Sequence, residues 1–190
     1  MPLKLSPWKA HVKKWENCNL CSLCETRQKV VLAKGNIPAD ILLVGEAPGP
    51  SEDLIGSPFI GPAGHLLENM LQAAGWNEVE VRRCFTNLVG CIPLDPEDGT
   101  KFAEPDKVSI KACTPRVVEM VELCKPKVII AVGKLSSTWM KKYALRGNGG
   151  QIPIVDIIHP AAILRADVTQ KELAIQRTII MLRDALEYLS

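Results

Sequence analysis

The sequence predicts an α/β protein, a single domain spanning residues 1–190, with helices on both faces of a central parallel four-stranded sheet. Three observations lead to this prediction. Strand-like apolar runs recur at residues 41–44, 84–87, 128–132 and 152–158. Helical periodicity fills the intervals between them, and strand and helix in alternation are typical of a parallel sheet. The 190 residues, 47% of them hydrophobic, are enough for one sizeable core.

The helices follow from apolar side chains at helical spacing. One predicted face consists of Leu66, Leu67, Met70, Leu71 and Ala74, and another of Ile175, Ile179, Leu182, Leu186 and Leu189. A further helix is expected around residues 106–123, interrupted by Pro115. Residues 1–40 form an N-terminal extension, helical around residues 6–15, and the proline-rich residues 90–105 form a long loop.

Composition limits the classes of protein to consider. The net charge of +2 and the pI near 8.1 are too mild to indicate a nucleic-acid binder, although a basic face would not show in the total. No apolar run approaches the roughly 20 residues that cross a bilayer, and the lysine-rich N-terminus lacks the apolar segment of a secretory signal. We therefore expect a soluble, cytoplasmic protein. His11 and His65 are expected at its surface.

Seven cysteines in a reducing compartment favour metal ligation over disulfides. Cys18 and Cys21 form a CxxC pair, which can direct two thiolates to one metal centre. Further ligands are to be sought among Cys24, Cys84, Cys91, Cys113 and Cys124. Cys84 and Cys124 adjoin strands and fit packed thiols, whereas Cys91 and Cys113 flank the long loop. A centre binding this pair and the CxxC would hold the extension and the loop against the sheet. Spacing does not distinguish zinc from an iron–sulfur cluster.

A glycine-rich stretch follows the first apolar run. Residues 45–53 read Gly-Glu-Ala-Pro-Gly-Pro-Ser-Glu-Asp, and Phe59 follows between further glycines. A buried strand that ends in such a loop places carboxylates and an aromatic ring at a strand's carboxyl end. Open α/β sheets bind their ligands at that edge, so we expect the functional site there.

These residues, together with later ones, resemble the iron–sulfur uracil-DNA glycosylases known as family 4. The resemblance is carried by residues 45–49, Glu52, Asp53, Gly56, Pro58, Phe59, Gly61, Ala63, Gly64, Thr86, Asn87, His159 and Pro160. It implies a uracil-DNA glycosylase fold and a base-excision-repair hydrolase. Such an enzyme cleaves the N-glycosidic bond of deoxyuridine in DNA, releases uracil and leaves an abasic site. The implied partner is uracil-containing DNA, single- or double-stranded, and the implied state is a monomer.

The resemblance also implies a structural 4Fe-4S cluster. The family's ligand positions match Cys18, Cys21, Cys91 and Cys113. The chain departs from the family nearby, because Gly90 precedes Cys91 where a basic residue is common, and residues 92–94 read Ile-Pro-Leu instead of an Arg-Pro-Pro run. These differences put DNA-backbone contacts near the cluster in doubt.

Within the implied site, Asn87 is expected to read the uracil edge, because an amide offers one donor and one acceptor. Phe59 is expected to stack on the ring, and Ala47 to contact it. His159 is expected to donate to uracil O2, aided by backbone amides of residues 45–49. Structural alternatives remain for these residues: a strand-capping amide, a core ring under a loop, and a structural imidazole.

A carboxylate is expected to orient the attacking water. Glu46 is the first candidate because it begins the loop, with Glu52 and Asp53 as alternatives. Gly45, Gly49 and Glu52 are expected to shape the pocket. If Asp53 does not act on the water, it is expected to be solvated.

DNA contacts are expected just after His159. Ile163 and Leu164 are available as a wedge into the space that the flipped base leaves, and Arg165 is placed for a phosphate. The alternative is that Ile163 and Leu164 begin a helix and pack inward. A rival function is a non-catalytic DNA-binding or replication-accessory protein with the same fold and cluster. A phosphate-binding protein is disfavoured, because residues 45–49 match neither GxGxxG nor the Walker pattern.

Overall fold

Four parallel strands form the centre of the structure, a computed structural model that describes residues 5–76, 80–95, 97–143, 146–147 and 150–189. The strands are β1 (Lys34–Gly35), β2 (Ile41–Gly45), β3 (Arg83–Asn87), β4 (Val128–Val132), β5 (Arg146–Gly147), β6 (Gly150–Gln151) and β7 (Ile154–Ile157). The main sheet has the order β1-β3-β2-β4-β7, with β3, β2, β4 and β7 parallel. The predicted α/β class is confirmed. The sheet also has a fifth, antiparallel edge strand, β1. The sequence does not predict this strand, because its two residues are too few to show a periodic pattern.

Helices cover both faces of this sheet. They are α1 (Pro7–Trp15), α2 (Pro50–Ile55), α3 (Pro62–Ala73), α4 (Lys107–Cys124), α5 (Lys134–Tyr143), α6 (Pro160–Arg165) and α7 (Val168–Asp184). Side chains of α3, α6 and α7 pack on one face, with Leu67, Ile163 and Leu182 in that core. Side chains of α4 and α5 pack on the other, with Val117 and Met140 in that core. Helix α4 continues through Pro115.

The register brings the carboxyl ends of the four parallel strands to one edge. Gly45 at the end of β2 is paired with Asn87 at the end of β3. On the other side of β2, Val132 of β4 is paired with Ile157 of β7. The residues that follow each strand therefore meet along this edge.

The N-terminal extension packs on α4 through a polar cluster. Glu119 of α4 accepts hydrogen bonds from Trp15 Nε1 at 2.7 Å and from Lys14, and its Oε2 lies 3.1 Å from His11 Nδ1. His11 is buried, so its expected surface position is wrong. Position 11 lies on the face of α1 that packs on α4, where the ring also stacks on Trp8.

Residues 90–105 form the predicted loop, of which residue 96 lies outside the described residues. Phe102 and Leu94 form an isolated antiparallel bridge within it. None of the helices in the described ranges has the length and apolar character needed to cross a membrane.

Candidate active site

A cavity of about 1000 Å³ opens at the carboxyl edge of the parallel strands. Each strand end contributes to it. The predicted site residues that line it are Glu46, Ala47, Gly49, Glu52, Phe59, Asn87, His159, Leu164 and Arg165. The structure therefore brings side chains from the ends of β2, β3 and β7 around one space.

Asn87 and Phe59 meet over Gly45. A Cβ atom on Gly45 would lie 2.3 Å from Asn87 Oδ1 and 2.7 Å from Phe59 Cζ, so only glycine fits there. Asn87 is 3% exposed and Phe59 is 8% exposed. The Phe59 backbone has a φ of 54°, a left-handed conformation that is strained for an aromatic residue. Its carbonyl accepts a hydrogen bond from Lys34 Nζ at 2.7 Å, which helps to hold the ring beneath the cavity.

Arg116 of α4 holds the backbone around Asn87, a contact that the sequence does not reveal. Its Nη2 donates to the carbonyl oxygens of Asn87 and, at 3.1 Å, of Leu88. Its Nη1 donates to Thr86 Oγ1 at 3.1 Å. Arg116 is 1% exposed and forms no ion pair with a carboxylate among the described residues. The two Nη groups of this buried cation are therefore paired with backbone and hydroxyl oxygens at the end of β3.

His159 and Glu46 meet over Gly133, the residue after β4. A Cβ atom on Gly133 would lie 2.4 Å from Glu46 Oε1 and 3.2 Å from His159 Cβ. Gly133 also has a φ of +98°, which favours glycine. Glu46 Oε1 accepts a hydrogen bond from Leu135 N, in the first turn of α5, at 3.1 Å.

The histidine has a defined tautomer. His159 is the N-cap of α6, and its Nδ1 accepts a hydrogen bond from Ala161 N at 3.2 Å. Burial lowers the pKa of His159, Arg165 lowers it further, and Glu52 acts in the opposite direction. The ring is therefore neutral at pH 7 with its proton on Nε2, which leaves Nε2–H as a donor.

The three acidic candidates have different surroundings. Burial raises the pKa of Glu46, the Leu135 N–H partly offsets this, and Glu104 adds to the rise. Glu52 accepts hydrogen bonds from Gly49 N at 3.1 Å, Ile60 N at 3.2 Å and Gly61 N at 3.0 Å, so it holds two glycine-containing loops together.

Asp53 is 4% exposed, and its carboxylate accepts hydrogen bonds from Gln28 N at 3.0 and 3.1 Å. The expectation of a solvated Asp53 is therefore wrong. The carboxylate faces the N-terminal extension and is absent from the cavity lining given by the described residues. Glu46 and Glu52 both line the cavity, and Glu46 is the one that meets His159 over Gly133.

Comparison with known proteins agrees with this geometry. Residues 32–183 match the family model of the uracil DNA glycosylase superfamily. A type-4 uracil-DNA glycosylase of Pyrobaculum aerophilum is 33% identical to this chain, over 83% of the chain and 84% of the relative. Another from Thermotoga maritima is 34% identical, over 79% of each. The chain belongs to the type-4 uracil-DNA glycosylase family.

The fold of this type-4 family member also resembles that of a solved structure with low sequence identity. The crystal structure of SMUG2 from Pedobacter heparinus matches with a TM-score of 0.61 and 14% identity, covering 78% of this chain and 76% of that one. At this identity the likeness concerns the fold alone.

Three of the four cysteines that match the type-4 ligand positions lie in one cluster. Cys91 and Cys113 are buried together with Leu23 and Val89, and Cys21 packs against them. Arg27 Nη1 lies 3.6 Å from Cys91 Sγ. Burial raises the pKa of Cys91 to about 12, and the neighbouring Cys113 and Cys21 contribute to the rise.

The fourth, Cys18, is half-buried and precedes Cys21 by three positions; burial raises the pKa of Cys21, and Cys18 adds to the rise. Within the described ranges, no three potential ligands lie close enough to share a single metal ion. Four cysteine thiols are a donor set that both an iron–sulfur cluster and a tetrahedral zinc ion accept. The remaining Cys84 and Cys124 are fully buried in the core.

One predicted DNA contact is wrong in this type-4 chain. Ile163 is 1% exposed and belongs to the core beneath α6, because the helix directs this residue toward the sheet. Leu164 is 38% exposed, and both it and the exposed Arg165 line the cavity. The surface after His159 thus retains Leu164 and Arg165 as DNA-contact candidates.

Proposed function

We propose that this protein hydrolyses the N-glycosidic bond of deoxyuridine in DNA, releasing uracil and leaving an abasic site. The carrying observation is that a buried amide, a half-buried imidazole and a half-buried carboxylate from three strand ends line one cavity. The target nucleotide must leave the base stack, because its reacting atoms are unreachable in a duplex. A flipped uracil then enters at the carboxyl edge of the sheet.

Asn87 is the residue that reads the base. Its amide donates to uracil O4 and accepts from N3–H, whereas cytosine presents the reverse pattern. Arg116 restrains the backbone at this position, so the amide is held in place before the base arrives. Phe59 offers its face to the flipped ring, a contact worth roughly 1 to 3 kcal/mol. Ala47 lines the same space.

His159 stabilises the departing base. As the bond to the sugar breaks, negative charge develops on uracil O2, and the Nε2–H of a neutral imidazole donates to it. Because Ala161 N donates a hydrogen bond to Nδ1, the ring is held in place and its Nε2–H donor is preorganised. Removing one such donor typically lowers the rate by a factor of about 100 to 1,000.

Glu46 orients the water and offsets the cationic character of the sugar. Leu135 N holds one carboxylate oxygen, and among the described residues no donor is bound to the other. Because Glu46 lies beside His159, the carboxylate that orients the water and the imidazole that donates to the departing uracil are on the same side of the cavity. The water is therefore activated close to the bond that breaks.

A structural 4Fe-4S cluster on Cys18, Cys21, Cys91 and Cys113 belongs to this proposal. When bound, it would supply no redox step and would link the N-terminal extension, the loop after β3 and α4. Cys113 lies on the same helix as Arg116, so the cluster would support the helix that restrains Asn87. The proposal also places the enzyme in the cytoplasm, as a monomer acting on single- or double-stranded DNA.

The test uses an oligonucleotide with one deoxyuridine. The parent protein is expected to produce an alkali-labile abasic site, and a thymidine oligonucleotide is expected to stay intact. His159→Ala should lower the rate about 100-fold or more, whereas His65→Ala, at an exposed position of α3, should leave it unchanged. A parent protein that binds the DNA without releasing uracil would overturn the proposal in favour of a non-catalytic role.

A further inference from the structure

Two phenylalanine rings line the cavity, one of them buried and the other exposed to solvent. Phe59 is 8% exposed, and the proposed function uses it for the flipped base. Phe102 is 55% exposed, lies in the loop between β3 and α4, and has no role in that proposal. Ligand cavities are lined mainly by hydrophobic and aromatic side chains, so a half-exposed ring at the border of the cavity is available to contact a bound ligand.

Hydrogen bonds on both sides of Phe102 hold its backbone. Asp95 N donates to Lys101 O at 2.8 Å, and Ala103 N donates to Pro93 O at 2.9 Å. The ring is therefore presented by a backbone that is already ordered. A ligand that stacks on it loses less free energy to ordering the protein than it would on an unrestrained loop.

The cavity has room for more than one base. Pockets of 300 to roughly 1,000 Å³ hold drug-sized ligands, and this cavity, at about 1000 Å³, is much larger than a uracil ring. Lys134 and Arg165 also line it, whereas Lys101, next to Phe102, forms an ion pair with Asp98. An exposed aromatic ring that shares a cavity with two cations is a combination that binds single-stranded nucleic acid, by base stacking and phosphate neutralisation.

We infer that Phe102 stacks on the nucleobase that neighbours the extruded deoxyuridine in the same DNA strand. Flipping a nucleotide removes the stacking partner of its neighbour and exposes one face of that neighbouring base. The Phe102 ring covers this face, while Phe59 covers the flipped uracil itself. This inference rests on the proposed function and extends its site from one nucleotide to two.

The test compares Phe102→Ala, Phe102→Leu and Phe102→Trp with the parent on an oligonucleotide that contains a non-hydrolysable deoxyuridine analogue. Loss of one stacked base should weaken binding about 5- to 150-fold in Phe102→Ala. Phe102→Trp should bind at least as tightly as the parent, and Phe102→Leu should resemble Phe102→Ala. Tyr188→Ala removes an aromatic ring that is 49% exposed outside the cavity lining, and it should match the parent.

A 2-aminopurine base placed next to the analogue, on either side in two oligonucleotides, reports the stacking directly. With the parent protein, the fluorescence of 2-aminopurine should stay quenched in one of the two oligonucleotides, the one whose probe stacks on Phe102. With Phe102→Ala, the fluorescence of that same oligonucleotide should rise. Inhibition by free uracil should be equal in both proteins, because the Phe59 and Asn87 pocket is unchanged.

The outcomes separate the two proposals. If the parent releases no uracil, the proposed function fails. If the parent releases uracil but Phe102→Ala binds and quenches like the parent, only this inference fails. Equal binding by Phe102→Leu and the parent would also overturn it, since an apolar wedge would then suffice.

Discussion

The guanidinium of Arg116 donates a hydrogen bond to the backbone carbonyl of Asn87, and a second one to Leu88. A fully buried cation on α4 thus restrains the strand end that carries Asn87, the residue proposed to read the base. In the low dielectric of the interior, hydrogen bonds from a charged donor are strong, and orphaned acceptors are costly. The position of Asn87 therefore depends on a helix that is distant in sequence.

Arg116→Met should lower both stability and activity. The carbonyls of Asn87 and Leu88 lose charged donors worth about 1.5 to 3 kcal/mol each, so the free energy of unfolding should fall by about 3 kcal/mol or more. Denaturant unfolding measures this change. At a temperature where the variant is fully folded, kcat should also fall, whereas Lys111→Met, at an exposed position on the same helix, should match the parent. Parent-like kinetics in folded Arg116→Met would limit Arg116 to a stabilising role.

Asn87→Asp should change base discrimination. An ionised carboxylate has no donor for uracil O4 but accepts from the amino group of cytosine. We expect excision of uracil to fall about 100-fold, the effect of roughly 3 kcal/mol of lost transition-state stabilisation, and the uracil-to-cytosine ratio to fall with it. Release of each base from matched oligonucleotides measures both values. An unchanged ratio would show that another group reads the base.

Glu46 should set an acid limb in the pH profile. Burial raises the pKa of this carboxyl above the ordinary 4.5, and only the ionised form orients water, so kcat/KM should fall as the pH drops through the raised pKa. Glu46→Gln should lower the rate about 100-fold or more and remove this limb. Because the pKa of His159 is lowered, its ring is still neutral at pH values just below 6.5, where a free imidazole is already mostly protonated. An acid limb that survives in Glu46→Gln would belong to His159 instead.

The purified protein should contain about four iron atoms per chain in a coloured cluster. Cys91→Ser should lower the iron content and destabilise the packing of α1 on α4, because a ligand at the centre of the cysteine cluster is lost. Cys24→Ser is the matched control, since this neighbour of the CxxC lies outside the proposed ligand set, and its iron content should stay at the parent level. A colourless protein with stoichiometric zinc would contradict the assignment.

The strands and the order of polar residues at their ends were predictable. Buried parallel strands are local apolar runs, and the residue after such a run lies at the sheet edge whatever the distant chain does. Asn87 and His159 are therefore found at the cavity, as their positions in the sequence indicate. Their catalytic roles stay predictions.

Other assignments depended on long-range packing. Glu46, Glu52 and Asp53 are equivalent carboxylates in the sequence. Only the folded chain shows that Glu52 bridges backbone amides of two loops and that Asp53 faces the N-terminal extension, whereas Glu46 lies beside His159. Ile163 and Leu164 are neighbours, yet the sheet beneath α6 buries one and leaves the other exposed.

The sequence by itself determined the α/β class, the strand ends and the family, because these follow from local periodicity and from motifs that occupy consecutive positions. Only the tertiary structure decided which carboxylate lies beside His159, and that Arg116 and Phe102 border the site. A lone arginine on a helix and a phenylalanine in a loop carry no periodic signal, since their contacts are made with residues far away in the chain.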